Sequence, residues 1–289
     1  MAETRILDHI VHLSTPGELE KGISHFESLG FIVLRGGHHA SGLTSNALVI
    51  FQDGIYLELI AYDHPIEHYP PDSDDRKKRE SGPWAHLPPG WIDWSHLGLD
   101  VRIGEIINER SGDNPNVPDA VRYIVPAVAG GRERIDGKVL EWVVTFPDPK
   151  HPRGNVPFFC QDITPREWRV PQEPKSNIEH PRTARGIAKL HLLVPQEKFP
   201  IVKQQLTQVF DFEPTASPSH AEWPLLTHSQ DQHLTAHLHL SYPTNEEQEA
   251  HVKSGGSGVW EVSFWVEKDH AEDPAVVPGF GRISWEALP

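Results

Sequence analysis

Residues 5–15 read RILDHIVHLST and place His9 and His12 beside Asp8 among Ile6, Leu7, Ile10, Val11 and Leu13. Two further strand-like stretches, WIDWSHLGLDV (91–101) and RGIAKLHLLVP (185–195), hold His96 and His191 in similar settings, about ninety residues apart each time. In IYLELIAYD (55–63) a carboxylate, Glu58, sits between Leu57 and Leu59. A carboxylate buried in a strand is costly unless it is paired or bound to a cation. Two imidazoles with one or two oxygen ligands suit Zn²⁺, Mn²⁺, Fe²⁺ or Ni²⁺. The plainer alternatives are core histidines bonded to backbone carbonyls, and a buried pair between Glu58 and Arg35 or Arg132.

The elements that must position these groups repeat. Residues 5–13 predict a strand, and Thr15 and Pro16 suit the N-cap and first position of a helix in which Leu19, Ile23, Phe26 and Leu29 share a face. Gly30 suits its end, and FIVLRG, NALVIF and IYLELIAY read as strands. The order is βαβββ. Residues 63–90, which include DDRKKRE, read as a polar surface loop, after which the pattern restarts less cleanly at 91 and again at 186. The expected fold is α+β: repeated βαβββ modules forming a curved antiparallel half-barrel cleft. Residues 5–164 make the paired domain, 186–267 a third module that is structural or dimerising, and 268–289 a C-terminal tail. In a unit of this kind alternate residues of each strand face the cleft, so histidines on the first strand of paired units would converge there.

The 289 residues are ample for a large core. A net charge of −15 disfavours nucleic acid and anionic membranes as partners. No apolar run has the length of a membrane span, no signal-peptide pattern opens the chain, and a single cysteine excludes an internal disulfide. The expectation is a cytoplasmic protein acting on a small molecule, with a homodimer possible because LTAHLHLSY and VWEVSFWVE seek a sheet partner.

The stretch LDHIVHLS…GFIVLRGGHHASGLTSNALVIFQDGIYLELIAYD resembles the glyoxalase-like domain branch of the vicinal-oxygen-chelate superfamily. The resemblance rests on Asp8-His9, on Gly36, Gly37, His39, Thr44 and Asn46, on Tyr56 to Leu59, and downstream on Asp136, Gly137, Leu140, Trp142 and Pro157-Phe158-Phe159. It covers roughly residues 5–165. It implies a divalent metal (Zn, Mn, Fe or Ni) held by His9, Glu58, His96 and a group from PFFCQD, taken as Gln161 with Asp162 next. Family members often carry an acid where Gln161 stands, and a glycine where Leu43 stands. Glu58 and His39 are the candidate catalytic groups, and Asn46, Trp94, Trp142 and Phe158 the candidate substrate contacts.

Three functions follow as expectations. One is a metal-dependent isomerase, lyase or epimerase that stabilises an enolate or oxyanion on an oxygenated, partly apolar substrate. Another is an Fe(II) ring-cleaving dioxygenase using His9, His96 and Glu58 as a facial triad. The third is a non-catalytic protein that sequesters a small compound. Elsewhere, His237 and His239 share a strand face at i, i+2 and read more naturally as an exposed face than as a metal pair, and Cys160 reads as a buried inert thiol.

Overall fold

The computed structural model describes residues 3–112, 119–134, 136–228, 234–271, 275–277 and 280–289. The first unit runs β1 (Leu7–Leu13), α1 (Leu19–Ser28), β2 (Leu34–His39), β3 (Thr44–Ile50) and β4 (Tyr56–Tyr62). α1 begins later than Thr15 and Pro16 suggested, because Glu18, without a side-chain cap, precedes its first turn. Residues 63–90 are not all loop. Ser73 accepts a hydrogen bond from the Arg76 amide and starts α2 (Asp74–Ser81), the helix that holds DDRKKRE.

The second unit is β5 (Gly90–Leu97), α3 (Ile103–Arg110), β6 (Val128–Arg134), β7 (Val139–Thr145) and β8 (Phe158–Asp162). The two units form one closed barrel in the order β1-β4-β3-β2-β6-β7-β8-β5. The expected half-barrel cleft is thus closed. Gly37, His38 and His39 pair with Arg134, Glu133 and Arg132, joining the free edge of one unit to that of the other. Nor is the sheet wholly antiparallel, since β1 runs parallel to β4 and β5 to β8. This follows from βαβββ order, which returns the last strand beside the first in the same direction.

After the short helix α4 (Arg166–Arg169) come β9 (Gly186–Leu193), α5 (Phe199–Phe210), β10 (Thr215–Ala216), β11 (His220–Leu225) and β12 (Ala236–Ser241). Then follow α6 (Glu246–Gly255), β13 (Gly258–Val266), β14 (Ala275–Val277) and β15 (Gly281–Ala287). They form a second sheet, ordered β10-β11-β12-β9-β13-β15-β14. The stretch from 268 is therefore not a tail, since β15 pairs along its length with β13. The third unit also has a partner, made of β13, β14 and β15. The strands expected to seek a partner sheet, β12 and β13, lie inside this sheet on either side of β9.

The register shows the second sheet to be an incomplete copy of the barrel. β1 pairs with β5, and β9 with β13, with bulges at matching points, so that Leu7, His9 and Val11 correspond to Ile187, Lys189 and His191. β14 corresponds to β7, and no described strand corresponds to β6, so the second sheet stays open. One core joins the halves. Leu7, Ile10 and Trp94 from the outside of the barrel meet Phe26 of α1, Leu206 and Phe210 of α5, and Leu190, Leu238 and Val262 of the second sheet.

Three histidines belong to the scaffold. His12 Nε2 lies 3.1 Å from the Phe280 carbonyl, and the His12 ring meets Phe26 and Trp91 edge-on. His96 Nδ1 lies 2.6 Å from the Thr4 carbonyl. His180 Nδ1 accepts from the Ile32 amide, which makes Nε2 the donor to the Ile50 carbonyl. Burial lowers all three to about 4 from an unfolded value near ~6.5. A group that is neutral in the folded state but protonated when unfolded takes stability away as pH falls between these two values. Asp53, raised by burial to about 7, acts in the opposite sense over that window, but it is one carboxyl against three imidazoles. The urea midpoint should therefore drop between pH 7 and pH 5. A flat or rising midpoint over that interval would contradict the neutral assignment.

Candidate functional site

β1 presents His9, Val11 and Leu13 to the barrel interior, while Leu7, Ile10 and His12 face the shared core. On β4, Tyr56, Glu58, Ile60 and Tyr62 face inward, and on β8 Phe158 and Cys160 do so. The cavity in the barrel is about 630 Å³ and is lined chiefly by apolar groups, including Trp84, Trp142, Phe146 and Phe158. Its polar end holds His9, His39 and Glu58.

Glu58 is the centre of this end. Its Oε2 lies 3.7 Å from His9 Nε2, and its Oε1 lies 3.6 Å from His39 Nε2. Arg132 donates to Asn46 Oδ1 at 2.9 Å, which turns the Asn46 amide nitrogen toward Glu58, where it donates to Oε1 at 2.6 Å. Oε1 is thereby engaged, and Oε2 faces His9. His39 Nδ1 lies 2.8 Å from the Thr44 hydroxyl, and burial lowers the pKa of its imidazole, with Glu58 opposing.

A second layer fixes His9. Its Nδ1 lies 2.7 Å from Asp8 Oδ2, a carboxylate oxygen that can only accept, so Nδ1 carries a proton and Nε2 is the ring atom turned to the cavity. The ring stacks on Tyr56 at 4.7 Å and meets Phe158 edge-on at 5.3 Å. Asp8 is fully buried. Burial alone would raise its pKa, but Arg166, Arg169 and His9 overcome that and hold it well below the usual carboxylate range. Arg169 binds Asp8 Oδ2 at 2.8 Å and the Tyr56 hydroxyl at 2.8 Å, and grips Asp162 through Nε at 2.5 Å and Nη2 at 2.8 Å. Arg166 also reaches Asp8. Both arginines lie in TPREWRV, just after the 5–164 segment expected to form the paired domain. The only local hint was Arg-x-x-Arg spacing on one helical turn.

The candidates from the sequence separate into two groups. His9, His39, Asn46, Glu58, Trp142 and Phe158 come together. His96 does not: it points out of the barrel, stacked on Phe210 of α5 at 5.3 Å. The reason is a one-residue shift in the β1–β5 register, which pairs Ser95, not His96, with His9. Trp94 also faces the shared core, its indole N–H donating to the Gly154 carbonyl at 2.9 Å. Strand alternation puts Gln161 on the outer, Phe159 side of β8, next to Gly98. Asp162 lies on the inner side but is held by Arg169. Cys160 lines the cavity with its thiol pushed up to about 12 by burial, too high for a nucleophile at neutral pH.

The residues present do not fit the expected metal. Two of its four ligands face away from the cavity. Among the described residues, the one group of three or more histidine, cysteine or acidic side chains with ligand atoms within 4.8 Å of one another lies elsewhere, at His220, Glu222 and His239 on the second sheet. The facial triad of His9, His96 and Glu58 is excluded on the same geometry. Among the described residues no helix is long and apolar enough to cross a membrane.

Similarity to known proteins agrees with the architecture. No curated protein matches the chain significantly. A hypothetical protein from Staphylococcus aureus is similar over 98% of this chain and 99% of its own, at 14% identity and a TM-score of 0.66. A mutant of 4-hydroxymandelate synthase from Streptomyces coelicolor is similar over 96% of this chain and 78% of its own, at 12% identity and a TM-score of 0.50. At these identities the likeness is one of fold. The model of the glyoxalase-like domain matches residues 7–210, which span the whole barrel, α4 and the first strand and helix of the second half. The chain therefore belongs to the glyoxalase-like domain family.

Proposed function

We propose that the barrel cavity takes up a small, partly apolar oxygenated compound and moves a proton on it, in isomerase, epimerase or lyase chemistry. The observation that carries this reading is the arrangement at Glu58, where one oxygen is engaged by Asn46 and the other lies 3.7 Å from His9 Nε2 in a largely apolar cavity. In this scheme Glu58 Oε2 takes a proton from the carbon beside a carbonyl. The C–H bond breaks, a carboxyl O–H bond forms, and the electron pair moves into the enolate. His9 accepts the proton from Glu58, and Asp8 stabilises the resulting imidazolium as a buried carboxylate does in a catalytic triad. The proton then returns to the substrate: to the adjacent atom in an isomerisation, to the other face of the same carbon in an epimerisation, or to the departing oxygen as the enolate's electron pair breaks the β C–O bond in a lyase reaction. The apolar walls exclude water and hold the non-reacting portion. No ion takes part, because the cavity does not gather the ligands that the metal-dependent form of this chemistry needs.

The test uses the full chain in D₂O with a panel of aromatic and aliphatic 2-oxo acids and 2-hydroxy ketones. Binding is read from the fluorescence of Trp84 and Trp142, and exchange at the α-carbon by NMR. Exchange with at least one compound, lost in Glu58→Gln while quenching persists, supports the reading. Quenching without exchange across the panel overturns it in favour of a sequestering protein.

A further inference from the structure

The polar face of the second sheet corresponds to the inside of the barrel, but among the described residues no strand like β6 closes it, and His220, Glu222, His237 and His239 on that face are only half-buried. Its residues can be placed against the barrel pair by pair. Val11 faces Glu58 across β1 and β4, and His191 faces His239 across β9 and β12. Glu58 faces Leu48 across β3 and β4, and His239 faces Glu222 across β11 and β12. His239 therefore stands where Glu58 stands in the barrel, Glu222 where Leu48 stands, and His220 where Asn46 stands. The hydrogen-bonded couple at the heart of the barrel, Asn46 and Glu58, has become a pair of imidazoles.

These groups converge. His220 Nε2 lies 3.1 Å from His239 Nδ1. His239 Nε2 lies 3.4 Å from Glu222 Oε2, and His237 Nδ1 lies 2.7 Å from Glu222 Oε1. One ligand atom from each of His220, Glu222 and His239 falls within 4.8 Å of the others, and all three side chains are half-buried, within reach of solvent. A solvated strand face accounts for polar residues at alternate positions. It does not account for three imidazoles from two strands clustered together, two of them against the Glu222 carboxylate and the third against His239. Two facing imidazole nitrogens can share only one proton. Their separation is close to the edge of roughly 3.3–3.4 Å expected between nitrogens on a tetrahedral zinc ion with bonds near ~2.0–2.1 Å.

We propose that His220, Glu222 and His239 form a binding site for a divalent transition-metal ion, with His237 beside the far oxygen of Glu222. Two nitrogens and one oxygen select Zn²⁺, Ni²⁺ or Cu²⁺ over Mg²⁺ and Ca²⁺, which prefer all-oxygen shells. Three protein ligands leave at least one position open toward solvent for water or an anionic oxygen. The site is separate from the barrel cavity and does not depend on the function proposed for it.

The test is equilibrium dialysis of the chelator-treated full chain against Zn²⁺, with Co²⁺ as a spectroscopic substitute whose visible bands report a low-coordinate N/O shell. One ion per chain is expected in the wild type and in His9→Ala. His239→Ala and Glu222→Gln, each checked for folding by circular dichroism, should lose more than tenfold in affinity and should lose the Co²⁺ bands. The proposal is overturned if the wild type takes up no ion at micromolar Zn²⁺, or if His239→Ala binds like the wild type. It is equally overturned if the ion is lost in His9→Ala and kept in His239→Ala, which would put the metal in the barrel.

Discussion

Arg169→Met should lower stability by about 3–5 kcal/mol, the range for breaking a buried ion pair from one side, and the thermal midpoint by roughly 10 °C. Arg169 is almost fully buried and ties together three groups: Asp8 on β1, Asp162 at the end of β8, and the Tyr56 hydroxyl on β4. Methionine fills much of the volume but leaves Asp162 with a 3.4 Å approach from Arg166, and Asp8 with Arg166 as its one remaining arginine partner among the described residues. The pair Asp8–Arg169 joins β1 to a helix at the far end of the barrel, so its loss loosens a long-range contact as well as exposing charge to a poor environment. Asp8 also fixes His9, so any turnover should fall with stability. Thermal unfolding of Arg169→Met beside Arg134→Met checks this. Arg134 is half-exposed and pairs with Asp136, so its loss should cost no more than about 1 kcal/mol. Equal shifts in the two variants would mean that the buried cluster carries no special weight.

Glu58→Gln should cut turnover by about 10²–10⁴-fold, the usual worth of a positioned general base, with little loss of binding. Glutamine keeps the shape and can still accept from Asn46 through its carbonyl oxygen, but its amide cannot take a proton from carbon. The amide would face His9 Nε2 and could donate to it when the imidazole is neutral, so the fold should hold. Side by side, kcat and KM for the wild type and Glu58→Gln decide the matter. A variant that raises KM while leaving kcat untouched would make Glu58 a binding group, with the proton moved by something else.

The unit order βαβββ was legible in the sequence because its causes are local: the apolar spacing of α1, the turn residues, and the alternation of β3 and β4. Membership of the glyoxalase-like family was legible from Asp8-His9, from Thr44 and Asn46, and from the Tyr56–Leu59 strand, since a short motif preserves its own spacing. That Glu58 and His39 share a pocket followed from the same motif. What the sequence alone left undecided depends on register and pairing between distant segments. A single-residue shift between β1 and β5 sent His96 outward and brought Ser95 opposite His9, and nothing within WIDWSHL marks such a shift. Arg166 and Arg169 became partners of Asp8 because the chain after β8 folds back across the barrel end, a contact 158 to 161 residues apart in sequence. His220 meets His239 because two strands of the second half lie side by side, while alternation along one strand shows only His237 and His239 on a common face. Local propensity sets which elements form. Which side chains share a cavity is set by inter-strand register, and a shift of one residue there moves every side chain of a strand to the other face.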